Sequence, residues 1–146
     1  MWIHKVKYED YDGNPQEKTL YFNLREDEMI SMQMSVKGGI ENYYKRLLEE
    51  NDNVELYKRF EELIKLTYGK KSDDGQRFSK SEEIYNDFKE SMAYDAFIDY
   101  LFTDPNGAAN FITGILPKKV QAKLNSPEGQ KLAAEHGFDI TPLKNN

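Results

Sequence analysis

Two strongly apolar helical segments, separated by a glycine-containing stretch, lie between Leu56 and Pro117 and constrain the fold more than the rest of the sequence does. Apolar residues in the first segment recur at steps of three and four, which places them on one face of a helix. These residues are Leu56, Phe60, Leu63, Ile64 and Tyr68, joined by Thr67. Residues 93–102 are apolar around most of the helix circumference, so we expect this second segment to contact other elements on more than one side.

The stretch between the two segments, residues 68–81, is predicted to be a loop. We expect Gly69 to end the first helix as a C′ residue with a positive φ, a conformation that glycine adopts without steric cost. Residues 73–75, Asp-Asp-Gly, predict a tight turn. Ser79 or Ser81 is the predicted N-cap of the helix that follows.

The N-terminal residues carry the pattern of strands. Residues 2–8 alternate in character, residues 19–24 are rich in β-forming side chains, and a turn cluster at 12–15 lies between them. A two-stranded ribbon is marginal alone, so we expect it to pack on helices. The predicted fold class is therefore α+β and mostly α, with an N-terminal two-stranded β-hairpin packed on a bundle of about five to seven short helices.

Capping signals predict further helix ends. Asn23 is the predicted N-cap of a short helix, and residues 40–48 predict an amphipathic one. Asp104 is the predicted N-cap of another helix, with Pro105 as its first residue, and Pro117 ends or kinks that helix.

Length and composition favour one soluble, cytoplasmic protein. The chain has 146 residues, a net charge of −6 and no cysteine, which makes nucleic acid an unfavourable partner and excludes disulfides and thiol catalysis. No apolar run approaches the ~20 residues that span a bilayer, so we expect no membrane contact. The composition shifts at Pro117, and we predict a core of residues 1–117 followed by a C-terminal helical extension and flexible tail at 118–146.

None of the candidate catalytic or metal-binding patterns in the sequence meets the requirements of its site. Asp10, Asp12 and Asn14 resemble the start of a calcium loop, but a proline stands where that loop requires glycine. Neither histidine has companions at ligand spacing. The carboxylates of Asp95 and Asp99 are more typical of a solvated helix face than of an acid–base pair. We therefore predict no enzyme, no metal and no cofactor.

Arg77 and Phe78 allow two interpretations. In the mechanical one, Phe78 fills the gap between the two helices, and Arg77 binds carbonyls at the end of the first helix or an acid of the next. In the functional one, residues 68–81 form a contact surface whose cations donate hydrogen bonds to an acidic partner.

Several short strings between Thr19 and Pro117 point to a family, and those in the 68–81 stretch are the most specific. They are Phe22-Asn23-Leu24, Gly38-Gly39, Tyr68-Gly69, Lys71-Ser72, Asp74-Gly75, Arg77-Phe78, Lys80-Ser81, Ala93-Tyr94, Phe97, Ala108-Ala109, Phe111-Ile112, Gly114-Ile115 and Pro117. In these strings the sequence resembles the tail assembly chaperones of long-tailed (siphovirus-type) bacteriophages.

The resemblance implies a non-catalytic protein of the infected bacterial cytoplasm that is absent from the mature virion. It implies binding to the tape-measure protein until the tail tube forms around it, together with self-association. It also implies contacts with the tail tube protein and with a frameshift-extended form of the chain. We expect the partner-binding residues to be Arg77, Phe78, Tyr94, Phe97, Phe111 and Ile115.

A second hypothesis is a small acidic regulatory or anti-defence protein that masks a basic partner surface. Residues 81–104 carry seven acids against Lys89 alone. Salt separates the two hypotheses, because charge masking weakens steeply with ionic strength, whereas contact through an apolar groove does not.

Overall fold

The computed structural model describes residues 1–29, 49 and 52–118. The strands are β1 Trp2–Glu9, β2 Pro15–Phe22, β3 Tyr68–Lys71 and β4 Phe78–Ser79, and the helices are α1 Asn53–Thr67, α2 Glu82–Lys89, α3 Met92–Thr103 and α4 Gly107–Ile115. Residues 26–29 are also helical. The strands form one antiparallel sheet in the order β1-β2-β3-β4, and the helices pack on one of its faces.

The predicted α+β class is confirmed, but the sheet has four strands where the sequence predicts a hairpin of two. Residues 68–81, predicted as a loop, form the second hairpin, β3–β4. β3 extends the first hairpin by pairing with β2 at Tyr21↔Gly69 and Phe22↔Tyr68. The helices predicted at 40–48 and beyond residue 118 lie outside the described residues, so the predicted helix number is matched only in part.

β1 and β2 form the predicted N-terminal hairpin, paired along their whole length. Asp10 closes its turn, because Oδ1 accepts hydrogen bonds from the backbone N–H groups of Asp12 and Asn14. Gly13 takes a φ of +80° at the tip. The residues that resemble a calcium loop thus build an Asx turn that holds the two strands together.

The helix α1 follows the predicted periodicity. Asp52 caps it by accepting a hydrogen bond from the backbone N–H of Val54. Its buried residues are Phe60, Leu63, Ile64 and Thr67. The chain passes directly into β3, because the C-cap Tyr68 is already extended, with φ −71° and ψ 137°.

The predicted role of Gly69 as a helix-ending residue with positive φ is wrong. Gly69 lies in β3, and its φ is not positive. A Cβ at this position would be 2.6 Å from the carbonyl oxygen of Ser79 and 2.7 Å from the ring of Phe78. The close approach of β4 therefore requires glycine here.

Of two predicted N-caps, the structure confirms one and contradicts the other. Ser81 caps α2 by accepting a hydrogen bond from a backbone N–H of the first turn, which confirms one of the two predicted caps. Asn23 is not an N-cap, since the helical residues begin at Glu26. Instead the backbone N–H of Arg25 donates to the carboxylate of Glu28 at 3.1 Å, which is one half of a capping box.

The Asp-Pro pair before α4 forms a turn and does not cap the helix. Asp104 is the C-cap of α3, and α4 begins at Gly107. The Asp104 carboxylate accepts a hydrogen bond from the backbone N–H of Asn106 at 2.8 Å, so that it orders the connection between the two helices. α4 ends before Pro117, as predicted.

Aromatic rings fill the space between the sheet and the helices. The fully buried ring of Phe97 has its centroid 4.9 Å from that of Phe22, 5.5 Å from that of Phe111 and 6.1 Å from that of Trp2. α3, which carries Phe97, packs against β1, α2 and α4. This confirms the expectation that a helix apolar around most of its circumference has partners on several sides.

Candidate partner-binding surface

An open groove of about 470 Å³ lies beside the β3–β4 hairpin. One wall comes from this hairpin, and the other comes from the segment after β2 and the start of the chain. Its lining residues are Met1, Asn23, Arg25, Glu28, Lys71, Gly75, Gln76, Arg77, Phe78 and Lys80. The lining contains four cations and one carboxylate, in a chain whose net charge is −6. The groove is therefore locally basic.

The turn of the β3–β4 hairpin is held in place by its own side chains. Ser72 Oγ donates to the Asp74 carboxylate and accepts from the backbone N–H of Arg77 at 3.0 Å. The Ser72 hydroxyl, followed by the backbone N–H of Gln76, holds the pKa of the Asp74 carboxyl below its usual range. Gly75 has a φ of +74°, which confirms the predicted tight turn. The backbone of Arg77 is thus part of a turn that is held by hydrogen bonds.

The four cationic side chains of the groove differ in whether they form an ion pair. Lys80 and Arg25 each have a carboxylate partner within the molecule. Lys71 and Arg77 form no ion pair within residues 1–29, 49 and 52–118. The side chain of Arg77 is exposed. Its planar fork of N–H donors fits a carboxylate in two-point contact.

The outer face of the sheet, turned away from the helices, presents aromatic rings bordered by lysines. Phe78 is half-buried there, next to Gly69 and opposite Lys71 in the strand register. Lys71 Nζ lies 6.0 Å from the centroid of the Tyr21 ring, and Lys80 Nζ lies 6.0 Å from that of the Phe78 ring. At this distance each lysine is attracted to a ring face, and of the two only Lys71 remains exposed to solvent.

The structure separates the six residues predicted to bind a partner. Arg77 and Phe78 lie together at the groove, the first exposed and the second half-buried. The other four are core residues, with exposed fractions of 7% for Tyr94, 0% for Phe97 and Phe111, and 2% for Ile115. In this fold these four side chains are buried, because α3 and α4 turn them toward the sheet and neighbouring helices.

Lys80 has the position that the mechanical interpretation gave to Arg77. Its Nζ donates to the carbonyl of Leu66, near the end of α1, at 2.9 Å and to Glu28 Oε2 at 2.6 Å. That interpretation is also wrong for Phe78, which lies on the outer sheet face and not between helices. Cations favour helix C-termini, so the sequence indicates that a basic side chain lies near the end of α1. The structure, in which β3 pairs with β4, identifies this side chain as that of Lys80.

Within the described ranges, no group of three or more His, Cys, Asp and Glu side chains is arranged to hold a metal ion. His4 is a packing residue, with its ring centroid 4.2 Å from that of Tyr100 and 5.1 Å from that of Trp2. Burial lowers the pKa of His4, and the nearby Asp104 carboxylate opposes this only in part. Among the helices of these same residues, none has the length and apolar character needed to cross a membrane.

Comparison with known proteins adds one finding about the whole chain. A family model described as phage tail assembly chaperone matches residues 1–142, which includes every residue of the groove. Searches of curated proteins and of solved structures gave no match. Because the family match spans almost the entire sequence, the chain belongs to the phage tail assembly chaperone family.

Proposed function

We propose that this protein is a non-catalytic chaperone that binds the tape-measure protein and keeps it soluble while the phage tail is assembled. The observation that carries the proposal is membership of the tail assembly chaperone family over residues 1–142. A long helical client exposes apolar surface that aggregates when it is left bare, and many weak contacts in parallel suffice to hold it. This activity belongs in the cytoplasm of the infected host, before the virion is complete.

The client contact is the groove beside the β3–β4 hairpin. Arg77 supplies a charged donor on an ordered turn, and the half-buried ring of Phe78 supplies an adjacent apolar surface. A polypeptide with carboxylates next to apolar side chains fits this pair, because a carboxylate binds the Arg77 guanidinium and an apolar side chain packs on the Phe78 ring. A groove of about 470 Å³ receives a few side chains and not a whole helix. One copy therefore holds its client weakly, and retention requires several copies along the rod.

Self-association of the chaperone supplies those copies. The tail tube protein and a frameshift-extended form of the chain are further partners in the same proposal, since the tube replaces the chaperone along the tape measure. The mixed surface charge is compatible with such contacts, because exposed acids on α2 and α3 occur on the same small molecule as the basic groove.

Co-expression tests the proposal. The protein is produced together with the large coiled-coil protein encoded downstream of it, and the soluble fraction of that client is measured. We expect the client to be soluble with the wild-type protein, less soluble with Arg77→Glu, and unaffected by the control Lys58→Glu on the exposed side of α1. A client that is equally insoluble with and without the protein overturns the proposed function.

The exposed acids also favour a second candidate, the masking of a basic partner. All seven acidic side chains of residues 81–104 are exposed, and none forms an ion pair within the described part of the chain. Affinity for the client at increasing salt separates the candidates. A charge-masking contact loses most of its affinity between low and moderate ionic strength, whereas a groove with an apolar component retains more of it.

A further inference from the structure

We infer that the client docks as an amphipathic helix across the outer face of the sheet, with an acidic side chain placed at the Arg77 groove. The inference rests on the proposed function. It names the part of the client that the groove receives and the surface that holds the rest. This surface, the outer strip, consists of Ile3 on β1, Tyr21 on β2 and Phe78 on β4.

The outer strip is a row of apolar side chains that crosses the sheet from β1 to β4. Ile3 is the register partner of Tyr21, and Tyr21 is the register partner of Gly69 on β3. Gly69 has no side chain, and a Cβ there would be 2.7 Å from the ring of Phe78. The Phe78 ring therefore covers the position that a β3 side chain would occupy, and the row is continuous.

The strip is accessible to a partner. Ile3 keeps 55% of its surface exposed, and Tyr21 and Phe78 are half-buried. The neighbours of Tyr21 along β2, Leu20 and Phe22, are fully buried on the opposite face, so the strip is not part of the core. Single exposed apolar residues are common on soluble proteins, whereas a contiguous row favours contact with a partner.

Two cations lie at the Phe78 end of the strip. Lys71 is the register partner of Phe78, and Arg77 precedes Phe78 in the sequence. Both cations are exposed, and neither forms an ion pair with a residue that the structure describes. A carboxylate binds a guanidinium in two-point contact. The charges therefore indicate a partner that carries an acid at one end of its apolar surface.

The acids of this region leave the groove open to a carboxylate from the client. Glu28, the one carboxylate of the groove lining, is bound to Lys80 at 2.6 Å. The turn acids at 73–74 do not line the groove. Glu9 and Glu17 share the outer face but are six and four residues along their strands from the strip. At the rise of an extended strand these separations are about 20 and 14 Å.

The spacing of the strip fits a helix. Neighbouring strands are about 4.7–4.9 Å apart, so the distance from Ile3 to the Phe78 ring above β3 is about 10 Å. Residues i and i+7 of a helix are separated by about 10.5 Å along its axis, with i+3 and i+4 between them. Alternate residues of an extended chain recur at about 6.6–6.8 Å and lose the match. One apolar face of a helix therefore meets Ile3, Tyr21 and Phe78 in turn.

The same geometry places the acid of the client. One further turn of the helix, beyond the residue that contacts Phe78, reaches Lys71 and Arg77, because both lie next to that ring. The groove then receives the acidic side chain, and the strip supports the body of the helix. This division agrees with a groove of about 470 Å³, which holds a few side chains.

Binding of tape-measure fragments tests the inference. The probes are overlapping peptides of about 30 residues, long enough to form a helix, that cover the coiled-coil protein encoded downstream. Calorimetry measures the affinity of the best-binding peptide for each variant. Ile3→Glu and Arg77→Glu should each weaken binding about fivefold or more. Val54→Glu is the matched control and should bind like the wild type, because it makes the same charge change at an apolar residue of α1 that is 63% exposed.

Circular dichroism of the mixture should show more helix than the separate components, since the peptide becomes helical as it docks. Thermal melts show whether each variant is folded, and Ile3→Thr, which suits a strand, replaces Ile3→Glu if that variant unfolds.

Wild-type affinity in both variants at position 3, or binding without a gain of helix, overturns the inference. If Arg77→Glu still weakens binding in that case, the groove and the proposed function stand. Failure of every fragment to bind the wild type overturns both.

Discussion

The ring of Phe78 lies across the β3–β4 hairpin from Gly69, so close that a Cβ at position 69 would be 2.7 Å from a ring carbon. The same Cβ would be 2.6 Å from the carbonyl oxygen of Ser79, which is backbone and cannot rotate away. Packing between two strands therefore fixes the residue type at position 69. Because this hairpin carries Arg77, the shape of the groove depends on the same close approach.

Gly69→Ala is expected to destabilise the protein by about 1–3 kcal/mol, because the added methyl group forces β4 or the Phe78 ring to move. The measurement is urea denaturation of the two proteins. Gly75→Asn in the turn of the same hairpin is the control. It should cost about 1 kcal/mol or less, since Asn tolerates a positive φ and a Cβ there meets no atom within 4 Å. Equal stability of Gly69→Ala and the wild type would contradict the packing argument.

Phe97→Ala should destabilise the fold by roughly 3–5 kcal/mol, the range for truncating a buried phenylalanine. The ring is fully buried and contacts rings from β1, β2, α2 and α4. Phe102→Ala on the same helix is the matched control, because its ring is 37% exposed, and its effect should be clearly smaller. Denaturation curves compare them. A loss of client binding in Phe97→Ala without loss of stability would instead restore this residue to the contact surface.

The parts of the fold that follow local patterns were predictable from the sequence. They are the buried face of α1, the Ser81 cap of α2 and the first hairpin, and each depends on residues that are close together in the sequence. The sequence shows the corresponding patterns directly: a 3.6-residue period, a serine before two glutamates, and a turn cluster between two β-rich runs.

The second hairpin was not predictable in this way. β3 has four residues and β4 has two, so neither is long enough to show a period. β3 is held by pairing with β2, whose residues are far away in sequence. Gly69 then resembles a helix end, and Lys80 cannot be distinguished from Lys70 or Lys71 as the cation at the end of α1. Four of the six predicted partner-binding residues are in the core. The sequence did not show this, because apolar character alone does not distinguish a buried side chain from an apolar side chain on a contact surface.

The contact between Lys80 and Glu28 should contribute measurable coupling to stability. The pair joins the β3–β4 hairpin to the helical residues after β2, and its side chains are only 19% and 23% exposed. A double-mutant cycle with Lys80→Met and Glu28→Gln should give a coupling energy of about 0.5–1 kcal/mol. The pair Arg25–Asp27, 65% and 67% exposed, should give a smaller one. Equal coupling in both pairs would show that burial does not decide their strength.

Arg77 should contribute to client binding and not to folding. Its backbone is hydrogen-bonded, but its side chain makes no hydrogen bond or ion pair with the residues that the structure describes. Arg77→Ala should therefore change the free energy of unfolding by about 0.5 kcal/mol or less. Affinity for a client fragment, measured by calorimetry, should fall about fivefold or more. Arg77→Lys should recover only part of it, because lysine lacks the two-point fork. Full affinity in Arg77→Ala would place the client elsewhere.

Stability should fall as the pH is lowered through the range in which histidine titrates, because of His4. The ring is half-buried against Trp2, Phe97 and Tyr100, and burial lowers its pKa from the ordinary value of 6.5, while Asp104 is the facing acid that opposes the shift. With the folded-state pKa below the unfolded one, the unfolded chain binds the proton first. Stability is therefore complete above the unfolded pKa and is lost as the pH falls toward the folded pKa.

The test of this pH dependence uses a His136→Gln background, in which His4 is the sole histidine. Urea denaturation at pH 7.5 and 5.5 should show lower stability at pH 5.5. Adding His4→Gln should reduce that difference, because the group that gains a proton on unfolding has been removed. The interval stays above the ordinary pKa of carboxylates, so Asp and Glu contribute little to it. If the protein with His4 is equally stable at both pH values, or more stable at pH 5.5, then the aromatic cluster does not disfavour the charged ring and attraction to Asp104 dominates.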